Sequence, residues 1–246
     1  MSRKSIAVIP ARFGSTRFPG KVLAPLAGKP MIQWVYEKAA ASQVDEVLVA
    51  TDEIKVIKAV EAFGGNAVMT SATHPSGTDR IWEAVSHLDY DIIINVQGDE
   101  PLIPVTVIDQ LIELMQNSSN MEMATVAVPR PRQDLADPNK VNVVFDDDGR
   151  ALYFSRSMVP FLREGGVDTP TYLHWGIYGY RKDILQRFVA LPEGRLEQCE
   201  KLEQLRALEN GISIDVLLSD LESIGVDTPE DLALAEGKLQ ANLNCN

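Results

Sequence analysis

Residues Arg12-Phe-Gly-Ser-Thr-Arg-Phe-Pro-Gly-Lys21 combine three cations with a run of small residues, directly after the apolar stretch Ser5-Ile-Ala-Val-Ile-Pro-Ala11. Successive backbone N–H groups in such a turn can point into one concavity and the flanking Arg and Lys add charge, so the chemistry on offer is the holding of phosphate. The pattern is not the P-loop of an NTPase, which needs Gly-x-x-x-x-Gly-Lys followed by Ser or Thr. Here five residues separate Gly14 from Gly20, Val22 follows the lysine, and Pro19 has no N–H to contribute. The net charge of −12 over 246 residues excludes the broad basic surface that nucleic acid or anionic lipid requires. A polyanion must therefore be met locally, which makes Arg12, Arg17 and Lys21 informative.

Two acidic turns stand further along, Gln97-Gly-Asp-Glu-Pro101 and Val226-Asp-Thr-Pro-Glu-Asp231. A buried apolar strand has no structural reason to end in two acids, so Asp99 is open to a functional reading. Asp227 reads first as a turn or helix N-cap aspartate, ahead of a functional reading. Ser76 and Asp79 make a reasonable helix start. His74, in a loop, and His87, on a helix, carry no functional weight. Cys199 and Cys245 offer neither a disulfide framework nor a Cys/His spacing for zinc.

The elements that must position these residues follow from periodicity. Short apolar, β-branched runs at Ile6–Pro10, Glu46–Thr51, Asn66–Met69 and Asp91–Val96 predict strands. They alternate with helical patterns at Pro30–Ser42, Ile54–Phe63, Gly77–Leu88 and Val105–Asn117. Continuous apolar strands alternating with helices predict a parallel sheet covered on both faces, and ligands bind at the carboxyl ends of such strands. The cationic loop, Ala50-Thr-Asp-Glu53 and Gln97–Pro101 all fall at those ends.

From about Met123 the rhythm changes to strands at Ala124–Val128, Val141–Phe145, Ala151–Ser155 and Tyr172–Tyr180, a mixed or antiparallel segment. One helix over Leu196–Asn210, the strand Ile214–Leu218 and a helix from Thr228 complete the pattern. No repeat, linker or membrane-length apolar run interrupts it, and no signal-peptide core is seen, so a cytoplasmic location is the expectation. The organisation expected is one domain over residues 1–246. A first lobe covers about 1–122, a second covers 123–212, and residues 213–246 return to the core.

The stretch Ile9–Lys21 resembles the signature of the sugar nucleotidyltransferases that make CMP-activated acidic sugars, and within them the 3-deoxy-manno-octulosonate (Kdo) cytidylyltransferase family. The resemblance continues through Val49-Ala-Thr-Asp52, Ser76-Gly-Thr-Asp-Arg80, Asn95–Pro101, Ala151–Arg156, His174–Arg181, Leu202–Arg206 and Gly225–Asp231, nearly end to end. It implies an α/β fold of nucleotide-diphospho-sugar transferase type: a Rossmann-like, mostly parallel sheet flanked by helices, with a mixed-sheet second lobe. The implied reaction is transfer of CMP from CTP to the anomeric hydroxyl of Kdo, giving CMP-Kdo and pyrophosphate for bacterial lipopolysaccharide biosynthesis.

By the same resemblance Arg12, Lys21, Asp99 and Asp227 form the catalytic set, with Asp99 and Asp227 as the Mg2+ ligands. The nucleotide falls to Ala11, Arg12, Gly14, Ser15, Arg17, Lys21, Ser76, Gly77, Thr78, Arg80 and Gln97. The acidic sugar falls to Arg156, His174, Tyr178, Glu203 and Gln204. The chemistry fits these types: phosphoryl-type transfer depends on positioning and on neutralising charge, with Arg forking onto two oxygens, Lys acting as a point charge and hard carboxylates suiting magnesium. No side-chain general base is evident. A homodimer is a further implication.

Asn142 departs from the family pattern, which often carries lysine there; Lys140, two residues earlier, would point the same way under strand alternation and replace it. Glu203 and Gln204 also read as the solvated face of a charged helix. The acceptor stays open between Kdo, its 8-amino analogue and another acidic sugar. A non-catalytic nucleotide-binding regulator is the competing class, and the presence of both Asp99 and Asp227 argues against it.

Overall fold

The computed structural model describes residues 3–14, 18–221 and 223–244. The chain divides into two compact units, residues 1–112 with 222–246, and residues 113–221. In the first, β1 (Ser5–Pro10) leads through a 3-10 turn (Lys21–Leu23) to a small hairpin, β2 (Pro25–Leu26) and β3 (Lys29–Pro30). There follow α1 (Met31–Ala40), β4 (Glu46–Thr51), α2 (Ile54–Ala62), β5 (Ala67–Met69), α3 (Gly77–Val85) and β6 (Ile92–Asn95), while α4 (Val105–Asn117) begins in this unit and ends in the second.

The strands lie in the order β6-β1-β4-β5 and every pair is parallel, with Ile6 opposite both Ile93 and Glu46. Ile6, Ala7, Val8 and Ile9 are wholly buried, as the continuous apolar run requires of a strand covered on both faces. Because the strands are parallel, their carboxyl ends share one edge. Ala11 N donates to Ala50 O at 2.8 Å and Val96 N to Val8 O at 3.0 Å, so the loops beyond Pro10, Thr51 and Asn95 leave from a fixed platform.

The second unit contains β7 (Met123–Arg130), β8 (Asn142–Phe145), β9 (Ala151–Ser155), β10 (Thr171–Arg181), α5 (Lys182–Val189), α6 (Arg195–Glu200), α7 (Gln204–Glu209) and β11 (Ile214–Leu218). β11 runs parallel to β7, whereas β7–β10, β10–β8 and β8–β9 are antiparallel, which is the mixed sheet expected. α5 has no counterpart among the expected elements, although Leu185 and Phe188 are buried at helical spacing.

The single helix expected over Leu196–Asn210 is contradicted. It is broken after Glu200, where Lys201 adopts a left-handed φ of 54°, and it restarts at Gln204. The cause is tertiary: the Glu200 carboxylate accepts from Ser155 Oγ at 2.7 Å and from Arg156 N at 2.9 Å, and Leu202 is buried. These bonds to the end of β9 outweigh the helix propensity of the segment.

The chain ends in α8 (Pro229–Asn244), in the first unit. Ala235 and Leu239 of α8 pack with Leu26, Met31 and Val226, which fixes the approach of residues 226–228 to the chain after the cationic loop. The helix is capped by Thr228 and Asp231: Asp231 Oδ2 accepts from Thr228 N and from Asp227 N, and Asp231 N donates to Thr228 Oγ1. The N-cap reading of the Asp227 side chain is thereby corrected, because the cap is made without it.

Candidate active site

The cationic loop is closed at its two ends by main chain. Gly20 N donates to Phe13 O at 3.1 Å, and Gly20 has a left-handed φ of 70°. A Cβ on Gly20 would lie 3.1 Å from the Phe13 ring, so both its conformation and its neighbour call for glycine. Lys21 follows at once, with its side chain 12% exposed. Its ammonium donates to Asp99 Oδ2 at 2.7 Å, Asp227 Oδ1 at 2.9 Å and Val226 O at 3.0 Å, which uses its three donors. Val226 N in turn donates to Asp99 O at 2.8 Å, so the two acidic turns are stitched together by backbone as well as by charge. Burial disfavours the charged ammonium, but the carboxylates of Asp99 and Asp227 outweigh it and raise the Lys21 pKa above its ordinary value.

These groups form one wall of a cleft of about 480 Å³ at the carboxyl edge of the parallel sheet. Pro10, Arg12, Lys21 and Val22 line it from the first loop, Gln97, Gly98, Asp99 and Asp227 from the acidic turns, and His74, Pro75, Ser76, Gly77 and Arg80 from the start of α3. Ser76 caps α3, its Oγ accepting from Thr78 N and Asp79 N and donating to Asp79 Oδ2 at 2.6 Å. The helix N-terminus is therefore presented on the cleft wall, where its dipole favours an anion.

Of the residues expected to meet nucleotide or metal, Arg12, Lys21, Ser76, Gly77, Arg80, Gln97, Asp99 and Asp227 share this cleft. Ala11 and Thr78 are buried next to lining residues in the chain rather than on the wall, and Gly14 is also off it. Ser15 and Arg17 lie outside the described residues. Arg80 is 3% exposed, with its guanidinium given to Thr70 Oγ1 at 2.5 Å and Asp52 Oδ2 at 3.0 Å. His74, given no weight from sequence, is on the wall, and its Nε2 is held by the Glu83 carboxylate, which also accepts from Ser71 N. The only sequence signal for it was its place two residues before the Ser76 cap.

The five residues expected to meet the sugar all belong to the second unit. His174 and Tyr178 share a side of β10, their rings 5.5 Å apart, and Phe154 stands 4.9 Å from the imidazole. Burial raises the Tyr178 pKa well above the usual phenol range. Gln204 is 6% exposed and its Nε2 makes no hydrogen bond, so it is not on a solvated helix face. Glu203 is partly buried in the break between α6 and α7. Arg156 is spent on main chain: Nε donates to Glu200 O at 2.7 Å, Nη1 to Pro138 O at 3.0 Å and Nη2 to Lys201 O at 3.3 Å. It braces the segment that carries Glu203 and Gln204.

Lys140 does not take the place of a lysine at 142. It precedes β8, and its ammonium donates to Asp134 O at 2.7 Å. Asn142 is fully buried, its Nδ2 near Ser155 O at 3.4 Å and Leu135 O at 3.5 Å, while its Oδ1 makes no hydrogen bond.

Residues 6–214 match the family model described as cytidylyltransferase. The chain belongs to the cytidylyltransferase family. It is 55% identical to the 3-deoxy-manno-octulosonate cytidylyltransferase of Thermodesulfovibrio yellowstonii, over 94% of this chain and 96% of the relative. It is 52% identical to the 8-amino-3,8-dideoxy-manno-octulosonate cytidylyltransferase of Shewanella halifaxensis, over 94% and 97%. Among solved structures, a CMP:2-keto-3-deoxy-manno-octonic acid synthetase complexed with CTP superposes with a TM-score of 0.94 at 43% identity, covering 97% of this chain and 99% of the other.

A cytidylyltransferase must hold a triphosphate, and the cations Arg12, Lys21 and Arg80 line this cleft. The donor set also suits a divalent cation. Asp99 and Asp227 already converge on one positive charge, the Lys21 ammonium, and both keep surface toward solvent, at 31% and 46% exposure. Magnesium takes only one or two protein carboxylates and completes its shell with water and phosphate oxygens. Among the described residues no group of three or more His, Cys, Asp or Glu forms a closed metal cage.

Proposed function

We propose that this cytidylyltransferase transfers CMP from CTP to Kdo, giving CMP-Kdo and pyrophosphate for lipopolysaccharide synthesis in the cytoplasm, with Mg2+ as cofactor and a homodimer as the working form. The observation that carries it is the meeting of Lys21, Asp99 and Asp227 in one cleft with Arg12 and the N-terminus of α3. The anomeric hydroxyl oxygen attacks the α-phosphorus and gives up its proton to solvent, the bond from that phosphorus to the bridging oxygen breaks, and pyrophosphate departs. Arg12 and Lys21 hold phosphate oxygens and offset the charge that builds on the leaving group. Asp99 and Asp227 would hold Mg2+, which when bound supplies Lewis-acid polarisation of the phosphates and of the attacking hydroxyl. Ser76, Gly77 and Gln97 stand on the wall available to the cytosine.

In the second unit the neutral His174, Tyr178 and the unsatisfied Gln204 Nε2 are the acceptor contacts we favour. No helix of the described residues is long and apolar enough to cross a membrane, which accords with the cytoplasmic reading. Relatives at 52% and 55% identity carry the 8-amino and the hydroxyl sugar in their names, so 8-amino-Kdo is the second reading. Pyrophosphate release with CTP and Mg2+ against Kdo, 8-amino-Kdo and sialic acid tests both. Faster release with 8-amino-Kdo moves the assignment to it, and no release with any acceptor ends the proposal. Sedimentation velocity tests the dimer.

A further inference from the structure

We propose that Asp52 is a positioning residue for triphosphate binding, tying the start of the cationic loop to α3 through one carboxylate. Asp52 follows β4 directly, and its side chain is 17% exposed. Oδ1 accepts from the main-chain N–H of Phe13 at 3.2 Å, and Oδ2 accepts from Arg80 Nη2 at 3.0 Å. The guanidinium it meets is itself held: Arg80 Nη1 donates to Thr70 Oγ1 at 2.5 Å, which donates to Thr51 O at 3.0 Å. Arg80 is thus a buried fixed point, referred to the end of β4 on one side and to the capped start of α3 on the other.

Phe13 is the residue through which this fixed point reaches the loop. Its N–H is on Asp52, its carbonyl accepts from Gly20 N, and its ring fills the space that a Cβ on Gly20 would need. Asp52 therefore sets where the loop starts and, through Phe13, where it closes one residue before Lys21. A carboxylate present only to neutralise Arg80 needs no second bond to a loop amide; here the second oxygen is given to it. Ser76 and Gly77, on the wall read as the cytosine side, belong to the start of α3, while Arg12 and Lys21 belong to the loop. Asp52 holds those two halves of the nucleotide site in register.

The inference rests on the reading of residues 12–21 as the phosphate loop, so the test separates the two. The quantity to measure is the ratio of CTP to CMP affinity by calorimetry, because the β- and γ-phosphates report on the loop and the shared CMP part does not. Loss of a charge-assisted bond and of the register it sets predicts a fall of about 10-fold or more in that ratio for Asp52→Ala. Asp52→Asn cannot serve both partners, since its one carbonyl oxygen faces either Phe13 N or Arg80 Nη2, and an intermediate fall is expected. Should the alanine variant fail to fold, the asparagine variant carries the test. Arg12→Ala is the control for the loop itself. If it leaves the ratio unchanged, the phosphate-loop reading fails and this inference with it. If Arg12→Ala lowers the ratio while the folded Asp52 variants keep it, with only the melting temperature reduced, Asp52 is a structural ion-pair partner and the proposal is overturned.

Discussion

Lys21 Nζ lies 2.7 Å from Asp99 Oδ2, and the same ammonium meets Asp227 Oδ1 at 2.9 Å. Lysine thus occupies the charge position that the two carboxylates would offer a divalent cation, and on the proposed function a bound triphosphate would offer it phosphate oxygens in exchange. Lys21→Met leaves the carboxylates without their cation. We expect Mn2+ to bind this variant at least about 5-fold more tightly than wild type in the absence of nucleotide, the equivalent of a part-buried ion pair of roughly 1 kcal/mol. CTP affinity should fall in the same variant. Calorimetric titration checks both, and an unchanged Mn2+ affinity would separate the carboxylates from the metal.

Asp99→Asn keeps the shape of the turn and the backbone bond from Val226 N to Asp99 O, but removes one charge from the cluster. Turnover in the pyrophosphate assay should drop about 100-fold or more, the scale of losing one preorganised electrostatic contact in a transfer reaction. The thermal unfolding midpoint should stay within a few degrees. Near-normal turnover would take Asp99 out of the catalytic set.

The parallel sheet and the convergence of three loops on one edge were legible because continuous apolar runs such as Ile6–Ile9 have one stable setting, with both faces covered. Lys21 and Asp99 stand out because they fall at that edge, whereas Asp227 is nominated only by the family resemblance. Their meeting on a single ammonium was not legible, since it depends on α8 bringing Asp227 back across more than half the chain. The break after Glu200 was illegible because it is made by Ser155 and Arg156, over 40 residues away in sequence, and local propensity carries no trace of them. His74 was passed over because its partner Glu83 lies nine residues on, within an ordinary helix pattern.

Gly98 gives a test of how tightly the acidic turn is set against the sheet. A Cβ there would stand 3.0 Å from Pro10 O, with Ile9 Cγ2 at 3.6 Å and Ile32 Cδ1 at 3.8 Å. The nearest atom is backbone of β1 and cannot rotate away, so Gly98→Ala must push the turn outward. We expect about 1–3 kcal/mol lost in urea unfolding, with a further fall in kcat because Asp99 moves with Gly98. A variant as stable and as active as wild type would show that the turn has slack.

His174 predicts a pH dependence that belongs to the second unit. Its Nε2 lies 3.1 Å from Thr125 Oγ1, which also meets Ile177 O at 2.9 Å and Trp175 O at 3.3 Å; with the Thr125 proton on either carbonyl, the neutral imidazole donates from Nε2. Burial among Phe154 and Tyr178 lowers its pKa to about 3. The unfolded chain takes up this proton near its ordinary value of about 6.5, while the folded one does not. Between those values the unfolded state binds more protons, so stability falls as pH falls, by at most about 1.4 kcal/mol per pH unit. His174→Gln removes that slope. Urea unfolding at pH 7 and pH 5 should therefore show wild type losing about 2 kcal/mol more than the variant over the interval. Equal losses would mean that the imidazole accepts a proton in the folded state, and that the ring is not confined as its neighbours imply.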